Sequence, residues 1–247
     1  MWRSVLAGVV LASSVALAQS PSPPRGGIEF QGGSVRAMQA DAFSNPGSLW
    51  IDRGQALWNE RCTGCHGMVE SSMRGAAVRY PRFDAQLGRV VNLEQRINAC
   101  VARAPDAKPF AWESQELLGL TTLVAHQSDG MPFDVKTDGP AAATYARGRE
   151  IYFQRQGQLN VACTQCHDRN YGRKLLAETI SQGQPADWPA YRLEWQTLGS
   201  LQRRLRACYF GVRAEIPEFG APDLVALELY LADRARGLTT HVPGVRK

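Results

Sequence analysis

Two copies of one five-residue pattern constrain this chain more than its composition does: Cys62-Thr63-Gly64-Cys65-His66 and Cys163-Thr164-Gln165-Cys166-His167. Each sets two thiols three positions apart, with a histidine directly after the second. Such thiols can add across the vinyl groups of a haem and fix the porphyrin edge against the backbone, while the adjacent imidazole turns onto the iron. A single copy is also compatible with a zinc half-site or a redox dithiol. With two copies, a four-cysteine zinc site would leave both histidines without a role. The repeated motif therefore predicts two covalent c-type haems, one on Cys62 and Cys65 and one on Cys163 and Cys166, with His66 and His167 as proximal iron ligands.

The start of the chain agrees with that chemistry. Residues 1–18 carry one early cation, Arg3, then an apolar run from Val5 to Leu17, and end Ala16-Leu17-Ala18. This is the form of a secretory signal cleaved after Ala18. The run is too short to span a bilayer and no later stretch is long enough, so no membrane insertion is expected. Attachment of c-type haem outside the cytoplasm, and cysteines in an oxidising compartment, place the mature protein in the periplasm. Residues 19–46, rich in Ser, Pro and Gly, read as an N-terminal arm or linker outside the core. The formal net charge of +5 falls by one when Arg3 leaves, and no basic run with interleaved aromatics points to nucleic acid.

What remains is long enough for two domains, and its halves repeat. Arg53-Gly54 precedes Leu57-Trp58, and Arg147-Gly148 precedes Ile151-Tyr152, each shortly before a CxxCH. Both segments read as helices in which glycine admits a second helix and the apolar pair packs one turn later. Ser114 caps a segment bearing Leu117, Leu120 and Val124; its counterpart from Pro222 to Arg236 bears Leu224, Leu227 and Leu231 and stops at Gly237. With little strand signal between, the expected fold class is all-α: two tandem haem domains over 47–137 and 138–247, with the seam at Asp138-Gly139-Pro140.

The sixth ligands are sought next. No methionine follows Met131, which leaves Cys208 and His241 in the second half; in the first, Cys100 competes with Met68, Met73, Met131 and His126. Leu93, Ile97 and Cys100 share the +4, +3 spacing of Leu201, Leu205 and Cys208, so on a helix each thiol falls on the apolar face and points at its own haem. The competing fates are a Cys100–Cys208 disulfide or an inert buried thiol. Equivalent positions in two repeats argue against the disulfide.

One turn before each cysteine stands an arginine, Arg96 or Arg204. For Arg96 the expectation is a haem-propionate partner or a solvated cation. Around Cys208, four arginines crowd one sulfur (Arg203, Arg204, Arg206 and Arg213), and that is the composition of an anion site.

At this stretch the sequence resembles the SoxA family, the SoxA subunits of SoxAX sulfur-oxidising cytochromes. The resemblance rests on Arg204-x-x-x-Cys208, then Gly211-Val212-Arg213-Ala214-Glu215 and Ala226-Leu227-Glu228-Leu229-Tyr230-Leu231, and it covers both repeats. It implies tandem class I cytochrome c-like domains and, since Cys62, Cys65 and His66 are retained, a dihaem member. It further implies His66 and Cys100 on one iron, His167 and Cys208 on the other, Cys208 as a catalytic persulfide intermediate and Arg204 as the substrate-binding residue. The implied activity is that of an L-cysteine S-thiosulfotransferase, joining thiosulfate oxidatively to a cysteine of a SoxYZ carrier protein. The implied partners are a SoxX-type monohaem cytochrome in a heterodimer and an electron-accepting cytochrome. A dihaem electron carrier with thiolate-ligated irons and no sulfur chemistry is the alternative; a disulfide-stapled structural cytochrome is the third.

Overall fold

A computed structural model describes residues 23–104 and 106–247; the signal segment lies outside them. The order is α1 (Gly33–Ala40), α2 (Ser48–Arg61), α3 (Thr63–His66), α4 (Val69–Ser72), β1 (Arg82–Asp84), β2 (Arg89–Val91), α5 (Leu93–Val101) and α6 (Gln115–His126). There follow α7 (Ala142–Phe153), α8 (Cys163–His167), β3 (Lys174–Leu175), β4 (Glu178–Thr179), β5 (Ala190–Arg192), β6 (Thr197–Gly199), α9 (Leu201–Gly211), α10 (Pro222–Arg234) and β7 (Gly244–Arg246). The protein is mostly helical, as expected. No helix of the described residues is long and apolar enough to cross a membrane.

Two helix crossings organise it, and both turn on the glycines singled out above. A Cβ at Gly54 of α2 would overlap the carbonyl oxygen of Gly119 in α6; one at Gly148 of α7 would overlap that of Ala226 in α10. Removing the side chain lets the backbones touch, and the bulk returns one turn later as Trp58 and as Ile151 with Tyr152, all buried. Ser114 caps α6 by accepting from the Leu117 amide, as expected. Helix α10 ends at Arg234, two residues short of the expected stop.

Two findings differ from the expectations. Each half contains a short antiparallel hairpin, β1–β2 and β5–β6, paired in the same register (Asp84 opposite Arg89, Arg192 opposite Thr197). Each is preceded by a cis X-Pro peptide, Tyr80-Pro81 and Trp188-Pro189. Three-residue strands are too short for alternation to declare itself. The turns reverse through left-handed residues, Gly88 at φ 66° and Gln196 at φ 51°, and only the glycine announces itself in sequence. The N-terminal arm, second, is packed. Phe30 and Val35 are buried, Gln39 accepts from the Val245 amide at 2.9 Å, and Asn45 donates to Pro243 O at 2.8 Å. The arm lies against β7, which pairs parallel to β5; its polarity satisfies backbone groups at the far end of the chain.

Between the halves, Glu94 in the first turn of α5 meets Glu228 of α10, both buried, on an 80 Å³ cavity that Asn92 and Thr121 also line. Burial, and then the Glu113 charge, push the Glu94 carboxyl up from 4.5 to about 7; burial, and then Glu94, push Glu228 well up. Folding therefore favours the protonated form. The stabilisation from Glu94 is complete below about pH 4.5 and is lost as pH rises through about 7. Urea unfolding at pH 5 and pH 8 is expected to show this fall in wild type and much less of it when both carboxyls are removed, in Glu94→Gln/Glu228→Gln. An equal fall in both would place the proton elsewhere.

Candidate functional site

The second CxxCH occupies α8, and its histidine is held from behind. His167 Nδ1 donates to Ser181 O at 2.8 Å, which fixes the tautomer and leaves Nε2 as the ring atom that faces Cys208 and could take a metal. A Cβ at Gly183 would crowd this ring, so the loop after α8 closes on it through a residue without one (φ 69°). The His167 ring also hydrogen-bonds the Cys208 sulfur, delivered by α9. Ser200 caps α9 through the Arg203 amide at 3.1 Å, and Leu205 packs into the core of the second half. Of the Leu201, Leu205, Cys208 series, Leu205 packs into that core, whereas Leu201 lines the cavity shared with Glu94 and Glu228.

Electrostatics separate the three sulfurs of this site. Burial pushes Cys163 up to about 12, the nearby Cys208 adding to it, and raises Cys166 for the same two reasons. Burial acts in the same direction on Cys208. There the Arg204 guanidinium, the hydrogen bond and charge of His167, and Arg192 outweigh it and bring the thiol down to about 7. The motif thiols stay protonated until used, while Cys208 is poised to be the thiolate, the form that binds metal and attacks sulfur.

Of the four arginines expected around this sulfur, only Arg204 serves it. Arg203 lies over the Trp195 ring at 4.3 Å with Glu113 at 3.9 Å, and Arg206 lies over Phe219 at 4.3 Å and donates to Pro217 O. Arg213 adopts a left-handed φ of 57° past the end of α9. Among the described residues, no carboxylate is within ion-pair reach of Arg204.

The first site is built alike but more open. Cys65 and His66 are exposed and Cys62 half-buried, whereas every member of the second motif that bears sulfur or imidazole is at least partly covered. Trp58 donates to Gly67 O at 2.9 Å and its ring lies 5.6 Å from that of His66. Cys100 of α5 is near enough for its charge to raise Cys62, after burial. Arg96 pairs with Asp84 at 3.0 Å and is therefore not the solvated cation that was one of its two expected roles.

The competing ligands stand elsewhere. His241 faces Asp129 at 3.1 Å, His126 holds Val242 O at 2.7 Å, Met68 is 69% exposed, Met73 packs on the core and Met131 sits against Gly75. All six cysteines are free, so Cys100 and Cys208 are not joined. Sequence reasoning missed Ser181, Gly183, Glu113 and Arg192; only the repeat carried a signal, and only for Arg192, whose counterpart is Asp84. The residues fit a covalent haem in each half: a paired set of thiols, a histidine, which in the second half is backed by a carbonyl, and a facing thiol.

Comparison with known proteins gives the same picture. Residues 49–133 match the family model for the SoxA/TsdA cytochrome c domain, and such a domain carries covalent haem c. The chain is similar to the L-cysteine S-thiosulfotransferase subunit SoxA of Paracoccus pantotrophus, 37% identical over 89% of this chain and 78% of that one. It is similar to that of Pseudaminobacter salicylatoxidans, 35% identical over 88% and 79%. A crystal structure of SoxXA from P. pantotrophus superposes with a TM-score of 0.85 at 36% identity, covering 89% of this chain and 86% of that chain. Identity at this level along nearly the whole described chain, with the two-motif architecture and the cysteine-bearing helices in place, settles the kinship: this chain belongs to the SoxA family.

Proposed function

We propose that this protein is the dihaem subunit of a periplasmic L-cysteine S-thiosulfotransferase, and that it joins thiosulfate to a cysteine of a SoxYZ-type carrier while paired with a SoxX-type monohaem cytochrome. The observation that carries this reading is Cys208: a covered thiol brought down to about 7 by an unpaired arginine and a histidine. In this reading Cys62 and Cys65, and Cys163 and Cys166, hold two haems; His66 with Cys100, and His167 with Cys208, are the axial pairs. Residues 47–137 and 138–247 are the two haem domains, residues 1–18 are removed on export, and a further cytochrome receives the electrons.

The chemistry asked of the site balances simply. A bond forms between the outer sulfur of thiosulfate and the carrier cysteine, one proton leaves the carrier thiol, and two electrons leave the sulfur pair. Haem, when bound, supplies the electron acceptor. This chain's own residues do the rest. Arg204 takes the sulfonate charge and aims the outer sulfur at Cys208, one helical turn away. Cys208 offers a thiolate that can hold the whole thiosulfate through its outer sulfur once the two electrons have left, until the carrier thiolate attacks that outer sulfur, takes the thiosulfate and releases the Cys208 thiolate. Ser181 holds the His167 proton at Nδ1, so the imidazole does not rotate.

Arg204→Ala tests the reading. Both haems are expected to stay attached, visible as two haem masses on the intact protein, because the variant touches no motif residue. Turnover is expected to fall by about one to two decades, the worth of a charge-assisted contact of roughly 1.5–3 kcal/mol to a dianion. Unchanged turnover, or an intact mass showing one haem, would count against it.

A further inference from the structure

The two sites are repeats, and one of the charges in which they differ stands at the hairpin that precedes the cysteine-bearing helix. Hairpins β1–β2 and β5–β6 share a register, and α5 and α9 follow them through equivalent caps, Asn92 and Ser200. Position 84 in the first hairpin and position 192 in the second therefore leave the backbone at the same place relative to the cysteine-bearing helix. The first is Asp84 and the second Arg192. Asp84 neutralises Arg96 at 3.0 Å. Arg192 cannot neutralise Arg204.

Arg192 is also anchored so that its own counterions do not reach Arg204. Its side chain is 3% exposed, and its Nη2 is shared between Glu178 Oε1 at 2.7 Å and Glu194 Oε2 at 2.6 Å. The guanidinium lies 5.0 Å from the Trp195 ring, and Nε is buried without a partner. The remaining carboxylate in the area, Glu113, reaches Arg203 and the Ser200 amide. A guanidinium closed by its own carboxylate must break an intramolecular pair before it takes an anion, whereas an unpaired one is ready.

We infer that position 192 sets the specificity of the second site: because Arg192 and no carboxylate stands where the first site has Asp84, Arg204 stays open to a sulfur oxyanion and anion binding is confined to the second of the two sites. This rests on the reading of Arg204 as the anion-binding residue. Arg192 is a positioning residue; it acts through Arg204.

The experiment restores the first site's charge to the second. In the haem-loaded protein with its cytochrome partner, thiosulfate binding is titrated calorimetrically without the carrier, and KM and kcat are then measured with it. Arg192→Asp is expected to weaken thiosulfate binding and raise KM at least tenfold, with kcat changed less than threefold and both haems retained. Arg192→Gln, which brings no carboxylate, is expected to change binding less than threefold. Asp84→Asn tests the rule in the first site without disturbing the second: it frees Arg96 and should add a second, weaker thiosulfate site. Unchanged binding in a folded Arg192→Asp, equal losses in the Asp and Gln variants, or a single site in Asp84→Asn would each overturn the inference. If wild type itself does not bind thiosulfate while Asp84→Asn acquires a site, the reading of the second site fails and the charge rule stands.

Discussion

Cys208→Met is expected to abolish turnover with thiosulfate and carrier, by three decades or more, while the protein stays soluble and keeps both haems. In the proposed reading, haem attachment depends on Cys62, Cys65, Cys163 and Cys166, all untouched. Methionine still offers iron a soft sulfur, so the spectrum of the second haem should change modestly. It cannot become a thiolate or carry an added sulfur, and three decades correspond to about 4 kcal/mol of lost transition-state stabilisation. The surroundings of Cys208 are built for that lost property: Arg204 and His167 offset a burial that would otherwise keep the thiol protonated. Thiosulfate-dependent haem reduction that survives in Cys208→Met with the carrier present would make the protein an electron carrier and remove the catalytic role of this sulfur.

Gly148→Ala is the change expected to cost the fold most. An added Cβ would overlap the Ala226 carbonyl oxygen and press the Tyr230 Cβ at 3.0 Å, and neither is the yielding end of a flexible side chain. The two helices must separate, loosening the packing of Ile151, Tyr152, Leu227 and Tyr230 in the core of the second half. Overpacking of this kind costs about 3 kcal/mol or more, which for a chain of this size lowers the melting temperature by roughly 6–12 °C. Gly33→Ala is the control: it adds the same methyl group at the start of α1, where nothing lies within 4 Å, and should be neutral or slightly stabilising. A melting temperature for Gly148→Ala within 2 °C of wild type would show that the crossing has room for a methyl group.

The helix crossings were legible because their cause is local. Gly54 and Gly148 stand one turn from bulky apolar pairs, and three- and four-residue spacing is what a helix turns into a face. The same spacing put Cys100 and Cys208 on helices α5 and α9. The hairpins were not legible, since three residues per strand carry no pattern, and the arm was misjudged because Ser, Pro and Gly content speaks of local conformation and not of a docking partner some two hundred residues later. Gln39 and Asn45 are ordinary polar residues until β7 presents unpaired backbone to them.

For the site, the sequence by itself determined the chemistry: which thiols stand beside a histidine, which stand alone on an apolar helix face, and that arginines gather near one of them. Covalent spacing alone decides these things. Only the tertiary structure decided which arginines are already engaged. Glu113 engages Arg203, Pro217 and Phe219 engage Arg206, and Asp84 closes Arg96 in the other half, each partner arriving from a different element. Whether a guanidinium can take a ligand depends on what already neutralises it, and that is a property of distances through space that no run of neighbouring residues encodes.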